Sequence, residues 1–331
     1  KKLKCKIVLP DNNICEICRY KSKTYDFLKN DISVPKVFNE NDSIILPLFA
    51  KPDKGQGSHG TKKITSHDEA KNIFLDKSLI ITEFLPGSEY TIDCLSDQNK
   101  LLVCEGRQRL RIRNGISVNS KIVEDPRFLE IAKKICEKLD IIGAWFFQVK
   151  ENSDGELILL EIAPRIAGTM ALNRARGINF VALSLLIHEG VGVKPMLNPY
   201  DLVIDRALVN RFKNDLIFDK VYIDFDDTLV VKSKVNTDLV KLIYQFINDL
   251  KKVILITKHK KDIQKTLKDY RLNNLFDEVI HLKKEEKKSK FIEGNAILID
   301  DSFSERNEVY KSKKISTFDI SMIGCLMNDR V

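Results

Sequence analysis

The sequence predicts an α/β protein with two domains, residues 1–213 and 219–331, joined by the short polar segment FKNDLIFDK. In the C-terminal third, apolar runs typical of buried strands end in acidic or hydroxyl side chains, as in VYIDFDDT and AILIDDS. In the first two thirds, strand-like runs are separated by turn signals, of which Asp154-Gly155 is the strongest. With 331 residues, 43% of them hydrophobic, the chain is long enough to bury a core in each domain.

The composition limits the classes of function. The 55 basic and 47 acidic residues give a net charge of +8, but the lysines are interleaved with acidic residues, which does not favour nucleic-acid binding. A basic surface would still favour phosphate-bearing substrates. Seven scattered cysteines, an odd number, indicate reduced thiols and a cytoplasmic protein. We expect no membrane segment, because the apolar runs are too short to span a bilayer.

The most informative motif is DFDDTL at residues 224–229. The preceding residues indicate a strand, and Asp224, Asp226 and Asp227 follow at its end. Like charges placed together are costly unless a cation compensates them, and a divalent ion is the usual one. Strand alternation puts Asp224 and Asp226 on one side, where one could attack a phosphorus atom while the other transfers the proton. A strand that ends in a solvated acidic turn is the alternative interpretation.

The C-terminal region resembles the haloacid dehalogenase (HAD) superfamily of aspartate-nucleophile phosphatases, whose motifs occur here in order as DFDDT, VILIT, KKEEKKSK and AILIDDS. The resemblance implies a Rossmannoid three-layer α/β domain without a cap, and a phosphorylated small molecule as substrate. Asp224 would be the nucleophile and Asp226 the general acid and base. Thr257 would hold a phosphoryl oxygen, and Lys288, or alternatively Lys287, would neutralise developing charge. The implied magnesium ligands are the Asp224 carboxylate, a backbone carbonyl and Asp300 or Asp301, and Asp226 is counted among the metal residues as well.

In the first domain, a strand is expected to deliver Lys51 into a glycine-rich loop that contains Gly55, Gly57 and Gly60. Glycines let backbone N–H groups approach phosphate oxygens, and the lysine adds a positive charge. The loop lacks the GK[ST] of a Walker A motif. A flexible hairpin is the alternative interpretation.

Two further strand pairs follow in the sequence. The segment IITEFLPGSEYTIDC predicts a strand with Glu83, a turn at Pro86-Gly87 and a strand with Glu89. The segment FFQVKENSDGELILLEIAPR predicts a hairpin that brings Gln148 and Glu161 onto neighbouring strands. That geometry suits a metal ion held between the two side chains.

Together these features resemble the ATP-grasp superfamily, in its carbamoyl-phosphate-synthase-like branch, over residues 14–212. The resemblance implies α+β grasp subdomains that bind ATP with Mg²⁺ or Mn²⁺. It also implies a ligase that activates a small carboxylate as an acyl phosphate for attack by an amine or another nucleophile. Glu83 would face the adenine and Glu89 the ribose; Gln148 and Glu161 would hold the metal, and Arg165 would act on the phosphate side. The implied nucleotide-binding residues are Lys21, Lys51, Gly55, Gly57, Ser58, Gly60, Glu83 and Glu89.

The chain departs from the ATP-grasp pattern in two ways. It reads EIAPR where the family commonly reads EINPR, so Ala163 stands where the family has an asparagine metal ligand. Few residues precede the match, whereas the family usually carries an N-terminal α/β subdomain. We expect either that this subdomain is truncated here or that another protein supplies it. The alternative function is therefore a HAD phosphatase whose first domain is a degenerate ATP-binding or regulatory module.

A run of arginines lies between the two strand pairs, in EGRQRLRIRNG. Alternate spacing would put all four on one face of a strand, where they would repel one another unless anions neutralised them. This pattern predicts a clamp for a phosphate or an acidic substrate, with a solvated outer face as the alternative. The four residues are Arg107, Arg109, Arg111 and Arg113.

Overall fold

The computed structural model describes residues 7–55, 59–98, 100–113, 115–209 and 211–328. Contacts divide the chain into two units, Lys1–Ala207 and Leu208–Val331, close to the predicted connection at residues 213–219. Gly57 and Ser58 of the predicted glycine-rich loop lie outside the described residues. No helix within the described residues is long and apolar enough to cross a membrane.

Among the described residues, the first unit contains two antiparallel sheets. A three-stranded sheet has the order β2-β1-β3, and a six-stranded sheet has the order β8-β7-β4-β5-β6-β9. The elements in chain order are α1 (Asn12–Arg19), α2 (Lys21–Leu28), β1 (Leu48–Pro52), β2 (Lys62–Ile64), α3 (His67–Phe74), β3 (Leu79–Glu83), β4 (Glu89–Asp97), β5 (Lys100–Arg113), β6 (Ile116–Ile122), α4 (Pro126–Lys138), β7 (Gly143–Glu151), β8 (Leu157–Ala163), α5 (Ala171–Ala175), α6 (Phe180–His188) and β9 (Val203–Asp205).

The predicted hairpin of β7 and β8 is present. Asn152 Oδ1 accepts hydrogen bonds from the backbone N–H groups of Asp154 and Glu156, and Gly155 adopts a positive φ of 78°. A residue without Cβ adopts that conformation at little cost, which explains the strength of the Asp-Gly signal. Gln148 and Glu161 lie on neighbouring strands, as the sequence predicted, and a register shift between Gln148 and Val149 makes them direct partners.

The amphipathic helix α4 covers the six-stranded sheet. It begins at Pro126 with Asp125 as N-cap, whose side chain accepts a hydrogen bond from the N–H of Arg127. A proline at the first helical position gives up no hydrogen bond, because that N–H lies outside the helical ladder. The buried side is apolar and joins the core around Trp145 and Phe147; it consists of Phe128, Ala132, Ile135 and Cys136.

The arginines of β5 do not form a single clamp. Arg107 is buried and bonds Asp93 through two guanidinium nitrogens, whereas Arg111 is exposed and pairs with Asp205. The pairing of β5 with β6 shifts register between Arg109 and Arg111, so the strict alternation assumed from the sequence is broken there. The predicted clamp is therefore wrong as a set, and Arg109 alone reaches the cavity described below.

The second unit is built on five parallel strands in the order β14-β13-β10-β15-β16. Its elements are β10 (Lys220–Ile223), β11 (Val230–Val231), β12 (Lys234–Val235), α7 (Thr237–Asn248), β13 (Lys252–Thr257), α8 (Ile263–Asp269), β14 (Glu278–His281), β15 (Ala296–Ile299), α9 (Phe303–Lys313) and β16 (Thr317–Phe318). The described part of this unit also contains two 3₁₀ helices, Lys288–Lys290 and Ile320–Cys325.

Helices cover both faces of this parallel sheet. Val221 and Ile223 of β10 belong to an apolar cluster with α7 and α8, whereas Tyr222 belongs to a second cluster with Val309 of α9. The strands adjoining β10 are β13 on one side and β15 on the other, so the strand order reverses at β10. In an open parallel sheet, ligands bind at the carboxyl ends of the strands beside such a reversal.

Candidate functional sites

A cavity in the first unit is lined by residues of both sheets. The three-stranded sheet contributes Lys51 from β1 and Glu83 from β3, and the six-stranded sheet contributes Glu89, Gln148 and Glu161. The cavity also contains Lys21, Gly55, His59, Arg109 and Lys150. Residues that the sequence analysis assigned to ATP and its metal from widely separated motifs therefore line one space.

Lys51 is buried in this cavity. Its Nζ donates a hydrogen bond to the hydroxyl of Tyr25 at 2.7 Å. Burial lowers the pKa of Lys51 to about 8, and the nearby charge of Lys21 adds to this effect while Glu161 and Glu89 oppose it. An anionic ligand would supply the negative charge that the buried ammonium lacks.

Lys21 begins α2 and lies beside the end of β1. Its Nζ is 3.5 Å from the backbone oxygen of Asp53 and 3.4 Å from that of Gly55. Burial lowers its pKa, and the carboxylates of Glu161 and Asp53 oppose that shift. Lys21 and Lys51 thus place two cations where the sequence analysis expected phosphate groups.

The two predicted nucleotide-binding acids already have protein partners. Glu83 Oε1 accepts a hydrogen bond from the backbone N–H of Lys36 at 2.8 Å. Glu89 forms a salt bridge with Arg109, whose side chain is 6% exposed. The sequence analysis missed Arg109 as an individual cavity residue because it treated the arginine run as one group.

The donor set for a metal ion in this cavity consists of oxygens on two neighbouring strands. Gln148 and Glu161 are register partners, and both line the cavity. Ala163 pairs with Phe146 and offers no side-chain oxygen. The residues therefore fit one Mg²⁺ ion that would complete its coordination with ligand phosphates and water.

Gly60 and Arg165 are predicted residues outside the cavity lining. Gly60 has a φ of 71° and packs close to Pro52, where a Cβ would come within 3.1 Å of Pro52 Cγ. Arg165 is exposed, and its guanidinium lies 5.0 Å from the centroid of the Phe146 ring. The structure thus puts Arg165 next to the cavity strand β7 rather than among the cavity-lining residues.

The second site lies at the carboxyl ends of β10 and β15. Asp224 follows β10 and Asp300 follows β15, and the register pairs the preceding residues Ile223 and Ile299. Oxygen atoms of Asp224, Asp300 and Asp301 all lie within 4.8 Å of one another. Thr228 Oγ1 holds Asp301 by donating to its carboxylate at 3.1 Å.

Lys288 connects two of these carboxylates. Its Nζ lies 2.5 Å from both Asp224 Oδ1 and Asp300 Oδ2, and the residue is buried. Lys287 is exposed. The sequence left these two lysines as alternatives, and the contacts single out Lys288.

Burial dominates the electrostatics of the acidic cluster. It raises the pKa of Asp224 to about 7, an effect that Lys288 opposes and Asp300 reinforces. Burial also raises the pKa of Asp301, against the hydrogen bond from Thr228. Three carboxylates and one ammonium group carry a net charge of −2 when all are ionised, so the residues fit a divalent cation.

Asp226 lies outside this cluster. Strand β10 ends at Ile223, so the alternation that grouped Asp226 with Asp224 does not extend to it. Its exposed carboxylate instead contacts His259, whose Nδ1 is 3.0 Å from both oxygens. The placement is compatible with proton transfer and leaves the Asp226 carboxylate outside the acidic cluster, although the resemblance counted Asp226 among the metal residues.

His259 also contacts the other predicted phosphate-binding residue of this site. Thr257 is buried at the end of β13, and its Oγ1 accepts a hydrogen bond from the backbone N–H of His259 at 3.2 Å. The histidine Nε2 lies 3.2 Å from Thr266 Oγ1. The sequence analysis missed His259, although its position two residues after the strand VILIT was an available signal.

Comparisons with known proteins concern the ATP-grasp prediction. Residues 76–209 match the family model described as ATP-grasp in the biosynthetic pathway with Ter operon. The vancomycin/teicoplanin A-type resistance protein VanA of Enterococcus faecium is 28% identical over 179 residues, with 44% of this chain and 52% of that protein covered.

Solved structures with a similar fold include the following two. Biotin carboxylase from Campylobacter jejuni, in a complex with β,γ-ATP, gives a TM-score of 0.50 at 14% identity. The match covers 57% of this chain and 51% of the biotin carboxylase chain. N5-carboxyaminoimidazole synthetase from Staphylococcus aureus, complexed with ADP, gives a TM-score of 0.50 at 15% identity. That match covers 58% of this chain and 57% of the synthetase chain. The chain therefore spans about half the length of the relatives it matches.

These comparisons support the predicted ATP-grasp assignment. The first unit has a mixed α/β fold with ATP-grasp-like sheets, and the matched residues include the hairpin that carries Gln148 and Glu161. The family match ends at residue 209, next to the boundary between the two units.

Proposed function

We propose that the first unit is the ATP-binding part of a Mg²⁺-dependent ATP-grasp ligase. It would activate a small carboxylate as an acyl phosphate, which an amine or another nucleophile then attacks. The observation that carries this proposal is the single cavity that collects Lys21, Lys51, Glu83, Glu89 and the Gln148–Glu161 pair. The family match over residues 76–209 supports it independently.

The residues of the cavity divide into three roles. Lys21 and Lys51 would bind and orient the phosphates, since buried cations gain most from an anionic ligand. Glu83 and Glu89 would accept hydrogen bonds from the adenine and the ribose. Gln148 and Glu161 would hold Mg²⁺, or Mn²⁺, which when bound neutralises charge on the transferring phosphoryl group.

Calorimetry with Mg-ATP tests this proposal, followed by a screen of carboxylic acids and amines scored by ADP release. Glu161→Gln is expected to weaken Mg-ATP binding at least about tenfold, because it removes the charged ligand. Glu156→Gln, in the exposed turn of the same hairpin, is the matched control. Absence of Mg-ATP binding by the wild-type chain, or equal effects of the two variants, would contradict the proposal.

We further propose that the second unit is a HAD-type phosphohydrolase. In the first step Asp224 would attack the phosphorus atom of a phosphomonoester. The bond from phosphorus to the ester oxygen would break, and Asp226 would donate a proton to that oxygen. In the second step Asp226 would take a proton from water, whose oxygen attacks the aspartyl phosphate and releases Asp224 and inorganic phosphate.

The surroundings of Asp224 support this proposal. Lys288 orients its carboxylate and would neutralise charge on the phosphoryl oxygens, and Thr257 lies at the end of the neighbouring strand. Asp224, Asp300 and Asp301 would hold Mg²⁺, which when bound stabilises negative charge on the phosphoryl group. The short β11–β12 hairpin after Thr228 is consistent with an uncapped site that a phosphorylated small molecule could enter.

A panel of phosphomonoesters tests the phosphohydrolase proposal, with release of inorganic phosphate as the readout. Asp224→Asn is expected to lower kcat at least about a thousandfold, because an amide is a poor nucleophile. Asp227→Asn is the matched control: this carboxylate is exposed, and its φ of 52° is one that asparagine adopts readily. Phosphatase activity retained by Asp224→Asn would exclude the proposed mechanism.

The alternative is a phosphatase whose first unit binds ATP without turning it over. Ala163 favours this alternative, because it removes one oxygen donor from the strand that carries Glu161. Mg-ATP binding without ADP release for any acid and amine pair, together with phosphatase activity that depends on Asp224, would support it. ADP release that requires both an acid and an amine would exclude it.

A further inference from the structure

Tyr25 on α2 connects the two sheets of the first unit. It is buried, with 3% of its surface exposed. Its hydroxyl accepts a hydrogen bond from Lys51 Nζ at 2.7 Å and donates one to the backbone oxygen of Leu160 at 2.8 Å. Lys51 belongs to β1 of the three-stranded sheet, and Leu160 belongs to β8 of the six-stranded sheet.

Both ends of this connection belong to the proposed nucleotide site. Lys51 lines the cavity, and so does Leu160, which directly precedes Glu161. The phenol therefore links the phosphate-binding lysine to the strand that carries the charged metal ligand. Tyr25 is buried in the core, and its hydroxyl is bonded to a strand carbonyl.

The chemistry of the phenol suits this arrangement. A phenol has a single proton, and Tyr25 gives that proton to Leu160, so its oxygen faces Lys51 as an acceptor. Burial raises the pKa of Tyr25, and the charges of Glu161 and Asp53 add to the shift, so the phenol stays neutral. The Lys51 ammonium has three N–H donors, and Tyr25 takes one of them.

We propose that Tyr25 is a positioning residue of the nucleotide site. It holds Lys51 Nζ at the place where phosphate oxygens bind and fixes the position of that lysine relative to Glu161. The inference rests on the proposed binding of ATP by this cavity and adds a residue that contacts the lysine rather than the nucleotide.

Tyr25→Phe tests the inference, because it keeps the buried ring and removes only the hydroxyl. We expect binding of Mg-ATP and Mg-ADP to weaken about tenfold, the order expected for a hydrogen bond to a charged group. Adenosine binding, followed by saturation-transfer NMR, should stay unchanged because adenosine has no phosphate for Lys51. In a Lys51→Met background, adding Tyr25→Phe should cause no further loss, since the phenol would act through the lysine.

Two control variants keep the test specific. Ser22→Ala removes another hydrogen bond between α2 and the end of β1, from Ser22 Oγ to Asp53 at 2.7 Å, without touching Lys51. Tyr90→Phe removes a different phenol from the same unit, one that bonds Glu151. Both should bind Mg-ATP as the wild type does, and fluorescence of the core residue Trp145 checks that each variant is folded.

The outcomes separate the possible explanations. An equal loss of adenosine and ATP affinity in Tyr25→Phe, or a further tenfold loss in the Lys51→Met background, would overturn the inference and make Tyr25 a general structural support. Unchanged Mg-ATP affinity in Tyr25→Phe would overturn it as well. Failure of the wild-type chain to bind Mg-ATP would instead refute the proposed function.

Discussion

Replacing Lys288 by methionine perturbs the most concentrated group of charges in the second unit. The Lys288 side chain is 3% exposed, and its Nζ lies 2.5 Å from one oxygen each of Asp224 and Asp300. Methionine has a similar length and no charge, so two buried carboxylates lose their cation. Removal of one partner from a buried ion pair lowers the free energy of unfolding by about 3–5 kcal/mol. We expect the second unit to lose that much stability near neutral pH.

The loss should depend on pH. Burial alone would lower the pKa of Lys288, but Asp224 and Asp300 outweigh it and the pKa is raised. A raised lysine pKa stabilises the fold fully below the unfolded value of 10.5, so the wild type retains the whole contribution near pH 8. In the variant, the pKa of Asp224, already raised to about 7 by burial, should rise further. The loss should therefore shrink towards pH 5, where the carboxylate takes up a proton.

Urea unfolding measures the change, with hydrogen exchange of the β10 and β15 amides reporting the second unit. Trp145 is the single tryptophan and lies in the core of the first unit, so its fluorescence is an internal reference. Lys287→Met is the matched control, since that side chain is exposed and should change stability by no more than about 0.5 kcal/mol. A loss under about 1 kcal/mol near pH 8, or equal losses near pH 5 and pH 8, would refute the reasoning.

Three further predictions concern individual residues. Because burial lowers the pKa of Lys51 to about 8, the affinity for Mg-ATP should fall as the pH rises through that value and the ammonium loses its proton. Calorimetry across this pH range measures the fall. Lys51→Arg should flatten the dependence of affinity on pH, because arginine keeps its charge. Ala163→Asn adds a side-chain oxygen to the strand that carries Glu161. It should lower the Mg²⁺ concentration needed for ATP binding several-fold in a magnesium titration. An unchanged titration curve would contradict the role given to position 163. His259→Ala removes the contact with Asp226 and should slow the hydrolysis of alkyl phosphates about tenfold more than the hydrolysis of p-nitrophenyl phosphate. The reason is that the p-nitrophenolate leaving group needs no proton. Equal slowing of both esters would count against proton transfer by Asp226.

Local sequence signals predicted those parts of the two sites that depend on strand ends and tight turns. Asp154-Gly155 predicts the hairpin that puts Gln148 and Glu161 on neighbouring strands, whereas their direct pairing depends on a register shift between Gln148 and Val149 that no sequence signal indicated. Asp224 and Asp300 come together because each follows a strand of one parallel sheet, and adjacent parallel strands end at the same edge. In each case the geometry follows from residues close in sequence or from a rule of sheet construction.

Contacts between distant segments were beyond the reach of the same signals. The sequence favours Lys288 over Lys287 only slightly, and the position of the 3₁₀ helix against β10 and β15 distinguishes them clearly. Tyr25 reaches Leu160 across 135 positions of the chain, and no pattern around DFLKND indicates its partner. His259 and Asp226 are 33 positions apart and meet at the ends of neighbouring strands.

The arginine run shows why alternation alone is a weak guide to an anion site. Alternation indicates which side chains share a face only while the strand is regular, and the register shift after Arg109 ends that regularity. A shared face also does not imply a shared environment. Arg107 is neutralised by the buried carboxylate of Asp93, which Asn173 also contacts, whereas Arg111 pairs with Asp205 at the surface. The protein supplies the anions that the sequence analysis assigned to a ligand, because a buried arginine must be paired in the folded chain before any substrate arrives.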